Sequence, residues 1–350
     1  MNLSIHFSET HKRYRKKPSV VCRLPKVRTQ YSILRMAQTY LVFSATGRQG
    51  RSVIKALAAK NETIVATSRD PNSSSSQSLL KNHRVKAVVR ADFNDPESIL
   101  SAIVESNATR IWFATDFFSI PWLRRTRAAE AKLGYAVVDA IKRAKTTVGG
   151  CERIEHVVFS SVGDADNAPK KIHHFWGKAD VEKYMSSQFD DTLGITWSVL
   201  RPVAFFDNVD DPANYNPLKK GSLKFLTRPD KKVKLISCED IGKGAAVLLT
   251  NPEEYAGKII EAAGAEHTGV ELAEALSEVS GTKCSYGIAV PRFALWLFMG
   301  DLYHMTKWFE DVGYSADVEE FKRIVPDAQD ARAFFKAKGQ WSNGDKFVSD

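Results

Sequence analysis

No uninterrupted apolar run is long enough to cross a bilayer. The best candidate, Phe293 to Met299, spans seven residues, where a helical span needs about 20. Cysteine is scarce: Cys22, Cys151, Cys238 and Cys284 lie far apart, with no CxxC or Cys/His ligand spacing. That excludes a zinc framework, so no metal is expected, and it fits a reduced intracellular compartment. Acids are nearly missing from residues 1–36, where Glu9 stands against nine Lys/Arg, a balance of +8. The other 314 residues carry 41 bases and 40 acids, so the formal net charge of +9 belongs to the extension. A nucleic-acid surface on the folded body is not implied, and no membrane partner is expected.

The extension admits three readings. It is Arg-rich and acid-poor, as mitochondrial transit peptides are; it is a basic arm for nucleic acid or acidic lipid; or the natural start is Met36. Disorder is expected in each case. The expected compartment is cytoplasmic or nuclear, and mitochondrial under the first reading.

What remains is an ordinary globular composition, 43% apolar and 26% charged over 350 residues. Strand-like runs alternate with amphipathic stretches, the pattern of a parallel sheet covered on both faces. Strands are expected at Tyr40–Phe43, Thr63–Thr67, Val85–Val89, Arg110–Ala114, His156–Ser160 and Gly194–Leu200. Helices are expected at Ser52–Ala59, Pro96–Ser106, Ala128–Arg143, Cys238–Leu249 and Thr268–Ser280, the last capped by Thr268. The tract Ser73–Ser76 reads as a loop insertion. The fold class is therefore α/β: a Rossmann-like, doubly wound parallel sheet over 37–203 with a smaller C-terminal α/β lobe over 204–350. Residues 233–262 are expected to return to the first domain. Pro, Lys and Gly cluster between Pro212 and Pro229, as in a loop-rich substrate lobe. The apolar stripe Phe293, Trp296, Leu297, Met299 and the pair Trp308, Phe309 read as packing.

Between the first strand and its helix lies Ser44-Ala45-Thr46-Gly47-Arg48-Gln49-Gly50, a candidate phosphate-binding turn. Gly47 lets backbone approach a pyrophosphate, Gly50 lets the helix pack on the strand, and the helix N-terminus offers N–H groups and a positive dipole end. Ser44 stands where the first Gly of GxxGxxG would be. At the end of the second strand a carboxylate would hold the ribose 2′-OH of NAD, whereas an Arg suits the 2′-phosphate of NADP. Arg69 occupies that place, 19 positions after Gly50, and points to NADP(H). Asp70 is read as opening the next loop. Asp92 and Thr115 follow the third and fourth strands, at the carboxyl-end crevice.

These residues, with others along the chain, resemble the NmrA-like family, atypical members of the short-chain dehydrogenase/reductase superfamily. The matching stretches are Val42-Phe43-x-x-Thr46-Gly47-x-Gln49-Gly50, Thr67-Ser68-Arg69-Asp70-Pro71 and Ala91-Asp92-x-x-Asp95. Further on come Glu130-Ala131-Lys132-x-Gly134, Val158-Phe159-Ser160-Ser161, His174-Phe175-x-Gly177-Lys178-x-x-Val181-Glu182 and Arg201-x-x-x-Phe205-Phe206-Asp207-Asn208. The resemblance implies a preference for NADP(H), with contacts at Thr46, Gly47, Gln49, Arg69, Asp92, Thr115, Lys132, Lys178, Phe205, Phe206 and Asp207. It also implies one of two activities: reduction of quinones and related small molecules, or redox sensing through a protein partner.

Ordinary superfamily members use Tyr-x-x-x-Lys, whose spacing sets both side chains on one helix face. Here the spacing is filled by His174 and Lys178. Lys178 can hold the ribose, while the phenolic acid is missing. His174 is either a proton donor of near-neutral pKa, lowered by the Lys178 cation, or a hydrogen-bonding residue of the crevice wall. Ser160 and Ser161 lie near the usual catalytic serine position, and Tyr184 reads as packing. The expected partners are a small-molecule electrophile or a regulatory protein, for a monomer or homodimer. A DNA-binding regulator would need the basic extension.

Overall fold

The computed structural model describes residues 38–147, 149, 151, 153–190, 192–209 and 222–337. The basic extension, Cys22 and most of the Pro212–Pro229 segment lie outside these residues. In chain order the first half runs β1 (Thr39–Val42), α1 (Arg48–Ala59), β2 (Thr63–Ser68), α2 (Ser74–Gln77), β3 (Val85–Arg90) and α3 (Pro96–Ser106). It continues with β4 (Arg110–Ala114), α4 (Arg127–Thr147), β5 (His156–Ser160), α5 (His173–Gln188) and β6 (Thr196–Pro202). The second half adds β7 (Ala204–Phe205), β8 (Ser222–Phe225), β9 (Val233–Ile236), α6 (Cys238–Thr250), α7 (Pro252–Tyr255) and β10 (Ile259–Ala262). After these come β11 (Ala265–His267), α8 (Gly269–Ser280), β12 (Ser285–Ile288), α9 (Arg292–Phe298), α10 (Gly300–Asp311), α11 (Val318–Ile324) and α12 (Ala331–Ala337).

Seven strands form one sheet in the order β10-β6-β5-β4-β1-β2-β3, and every pairing is parallel. Successive side chains of β1 divide between the two faces, as strand geometry requires. Tyr40 and Val42 join the core under α1 and α6; Leu41 and Phe43 join the core under α3, α4 and α5. The chain order reverses between β1 and β4, which opens a crevice beyond the strand carboxyl ends. The α/β fold with a parallel, doubly covered sheet is the one expected.

The second half is divided. Helix α6 packs on α1, and β10 pairs with β6 as the last strand of the large sheet. The other elements form a lobe with a three-stranded sheet, β11-β9-β7, and a parallel β12–β8 pair. Thr268 caps α8 through a capping box with Glu271, as its sequence signature predicts.

Three local expectations are corrected. Helix α1 starts at Arg48 rather than Ser52, because Gly47 already serves as its N-cap and Gly50 packs inside its first turn. The serine tract is no loop: Ser73 caps α2, and the buried Ser76 hydroxyl lies within hydrogen-bonding distance of the Asp70 carbonyl (2.7 Å) and Ser68 Oγ (2.8 Å). The stripe at Phe293–Met299 does not pack inward. Leu295 alone is buried in α9, whereas Phe293, Trp296 and Leu297 are 60–71% exposed. Trp308 and Phe309 are buried, as expected.

Candidate cofactor and substrate cleft

A cleft of about 780 Å³ lies over the switch point between β1 and β4, a size suited to a bound small molecule. Its floor is the turn after β1. Ser44 takes φ +48°, in the left-handed region that favours glycine. A Cβ on Gly50 would lie 2.5 Å from the Ser44 carbonyl oxygen and 2.7 Å from Ala45 Cα. That position therefore holds helix and strand in backbone contact. Gly47 makes no side-chain cap bond to the first turn of α1, an arrangement compatible with an anion at that helix's positive end.

The turn residues Ser44, Thr46, Gly47, Arg48, Gln49 and Gly50 all line the cleft, with Arg69, Asp92, Thr115 and Phe205 from the ends of β2, β3, β4 and β7. Arg69 is exposed and has no hydrogen bond or ion pair within the described residues. The neighbouring Asp70 carboxylate accepts from the Asn72 N–H at 2.9 Å, closing the turn it opens. Asp92 likewise accepts from the N–H of Asn94 at 2.9 Å. Gln49 reaches across to β5, where the buried Ser160 hydroxyl donates to its amide oxygen at 2.7 Å.

Other candidates stand apart from the lining. Lys178 is nearly buried behind Thr115 and donates to the Thr115 carbonyl (3.0 Å), the Thr115 hydroxyl (2.8 Å) and Glu130 Oε1 (2.5 Å). Helices α4 and α5 can approach closely enough for this because Gly134 faces Val181, whose methyl would lie 2.3 Å from an added Cβ. Lys132, two positions after Glu130 and so on the opposite side of α4, is exposed. Phe206 lies in the core, stacked on Phe334 with ring centroids 5.1 Å apart. Ser161 donates to Glu182, away from the cleft.

His174 is buried at the start of α5 among the rings of Phe117, Phe118 and Phe175. Its Nδ1 is hydrogen-bonded to Asp301 of α10, which also accepts from the His173 N–H. Burial pushes the Asp301 carboxyl up, but the His174 hydrogen bond and charge outweigh it, leaving the group below its usual range. Tyr184 faces α4, its ring tilted against Tyr135 at 4.3 Å between centroids and its hydroxyl donating to Asp139 at 2.5 Å. Sequence reasoning missed Asp301 and Glu130 as the partners of His174 and Lys178, and also Phe118, Ser119 and Asn208 in the cleft wall. Glu130 had one signal, its place in a matched stretch; Asp301 had none.

The family model of the NmrA-like family matches residues 36–333. The chain belongs to this family. An NmrA-like family domain-containing oxidoreductase, FrzB of a Cladobotryum species, is 27% identical over 274 residues, covering 72% of this chain and 76% of that protein. Among solved structures, the NADPH-dependent quinone oxidoreductase of Escherichia coli, complexed with NADPH, superposes with a TM-score of 0.64. It is 19% identical, and the match covers 86% of this chain and 100% of that one. The negative transcriptional regulator NmrA, in complex with NADP, superposes with a TM-score of 0.62 at 18% identity, over 89% of this chain and 98% of that one. An oxidoreductase and a regulator thus share the fold seen here.

Proposed function

We propose that this NmrA-like protein binds NADP(H) in the cleft and uses NADPH to reduce a small quinone or conjugated carbonyl. The observation that carries the cofactor reading is the Arg69 guanidinium on the rim, without a partner among the described residues, one strand from a helix N-terminus that has no side-chain cap. Together they offer a fork for the 2′-phosphate and a dipole end for the pyrophosphate. The NADP(H) complexes of two proteins of the same fold support it. The donor set fits: backbone N–H groups and a guanidinium, with the Asp70 carboxylate in the same wall engaged by the Asn72 N–H of its own turn.

Bound NADPH would supply a hydride. The residues of this chain then have positioning roles. Thr115, fixed by Lys178 and Glu130, sets the wall at the end of β4 against the nicotinamide end of the cleft. The Lys178 ammonium, compensated by Glu130, adds a fixed dipole behind that wall. Phe118 and Phe205 give apolar surface for a flat ring. Reduction of a quinone takes up one hydride and one proton; with His174 engaged to Asp301 outside the lining, the proton comes from water.

The engagement of His174 also favours a second reading, a redox sensor that binds NADP(H) and a protein partner without turnover. Consumption of NADPH with a panel of soluble quinones separates the two. Turnover that falls at least 10-fold in Lys178→Ala supports the reductase. No turnover above background, with a partner whose affinity follows the NADP⁺/NADPH ratio, favours the sensor. Arg69→Asp tests the cofactor reading directly: a charge-assisted phosphate contact of about 1.5–3 kcal/mol predicts a loss of roughly 10- to 100-fold in NADPH affinity with NADH little changed. Tryptophan fluorescence titration measures both, and an unchanged preference would overturn the assignment.

A further inference from the structure

The exposed apolar side chains are not scattered. Trp122 and Leu123 stand on the β4–α4 loop, and Phe293, Trp296, Leu297 and Phe298 on α9, each 60–77% exposed. Both elements border the start of α5. The Phe118 ring lies 5.8 Å from the His174 ring, and His174 is bonded to Asp301, two residues beyond Met299. Surface helices normally turn their apolar stripe inward. Helix α9 buries only Leu295 and turns its large rings outward.

The segments that border this face are basic. Residues 117–129, 167–179 and 279–300 contain no Asp or Glu. Arg124, Lys170 and Lys171 are exposed there and form no ion pair within the described residues. The acids beside it are engaged: Asp116 caps its own loop at Phe118 and Ser119, Asp301 holds His173 and His174, and Glu310 is paired with Arg292 and Arg228.

We propose that this face docks on an anionic lipid bilayer. Protruding Trp, Phe and Leu side chains enter the interface, where amphipathic rings are favoured, and Arg124, Lys170 and Lys171 meet lipid phosphates. A second copy of the chain fits less well, since a two-fold contact would set these cations near their own copies. Such a contact needs no span, and no helix among the described residues is long and apolar enough to make one. Trp122 shares its loop with Phe118 and Ser119, which line the cleft, so docking brings the cleft mouth to the headgroups. An apolar substrate dissolved in the bilayer then has a short path to the site; that path rests on the reductase reading, and the docking does not.

The test is co-flotation of the full chain with vesicles of phosphatidylcholine alone or with added phosphatidylserine, with tryptophan emission recorded. Wild type should bind the anionic vesicles, with a blue-shifted emission that acyl-brominated lipid quenches. Trp296→Ser/Leu297→Ser/Phe298→Ser, and separately Trp122→Ser/Leu123→Ser, should each reduce binding at least 10-fold with the thermal melt unchanged. The basic extension is present in every sample, so adsorption without spectral shift, indifferent to these substitutions, would mean that the extension alone binds and would overturn the proposal. Absence of vesicle binding would also overturn it, as would self-association abolished by the same substitutions. Turnover of soluble quinones without vesicles is scored independently.

Discussion

At the scale of single residues, the cleft depends on backbone proximity. Gly50 has two backbone neighbours inside 3 Å of where a Cβ would stand, and backbone cannot swing aside as a side-chain end can. Gly50→Ala is therefore expected to push α1 off β1, costing about 1–3 kcal/mol as overpacking does. It should lower the melting temperature and shrink the stabilisation that NADPH confers on the native state. Melting curves with and without NADPH measure both effects; a variant as stable and as responsive as wild type would contradict the close-contact argument. The role of Gly50 was legible because a glycine between strand and helix has few other uses. The surroundings of His174 were not, because Asp301 lies 127 positions away and no local pattern links them.

At the scale of elements, the β5–β6 pair carries a buried titratable group. His156 is fully buried, with Nδ1 2.8 Å from Thr196 Oγ1 and Nε2 3.1 Å from Ser198 Oγ. Burial, reinforced by the Arg110 charge, lowers its pKa from 6.5 to about 4. A base whose folded pKa is depressed takes up its proton first in the unfolded chain. Its contribution is complete above pH 6.5 and is lost as pH falls towards 4, by about 3 kcal/mol in all. On β10, burial pushes Glu261 up to about 7 despite Arg201, with Asp164 adding to the rise. Its sign is opposite: the contribution is complete below 4.5 and is lost as pH rises through 7. The two slopes oppose each other between pH 4.5 and 6.5. His156→Gln should leave the Glu261 slope alone, so that stability in urea rises as pH is lowered through this window. Unchanged pH dependence of the urea midpoint would refute the His156 assignment. The strand itself was legible from its apolar run, as were β4 and α3 to the residue. The serine tract was misread because serine favours loops until its hydroxyls find buried acceptors.

For the molecule as a whole, Arg201 ties the large sheet to α5 and the loop after β5. It pairs with Glu182 at 2.5 Å, Asp166 at 3.0 Å and Glu261 at 3.2 Å. Next to it, the Asp164 carboxylate accepts from the Ser315 N–H and hydroxyl at 2.6 and 2.7 Å, anchoring the chain beyond α10. Arg201→Met leaves the buried Glu182 carboxylate without its cation and is expected to cost about 3–5 kcal/mol. Chemical denaturation measures the loss. Arg201→Met combined with Glu182→Met should recover part of it, and failure to recover would show that packing rather than charge is at stake.

Local sequence determined the parallel sheet, the position of the turn after β1 and the choice of an arginine at the end of β2. Each follows from side-chain periodicity or from a residue whose backbone or charge acts at short range. Tertiary structure alone decided that Lys178 is compensated by Glu130, that His174 belongs to Asp301, and that the stripe on α9 faces out. These depend on which surfaces distant segments bring together, and amphipathic spacing is the same whether its apolar side meets a core or a solvent boundary.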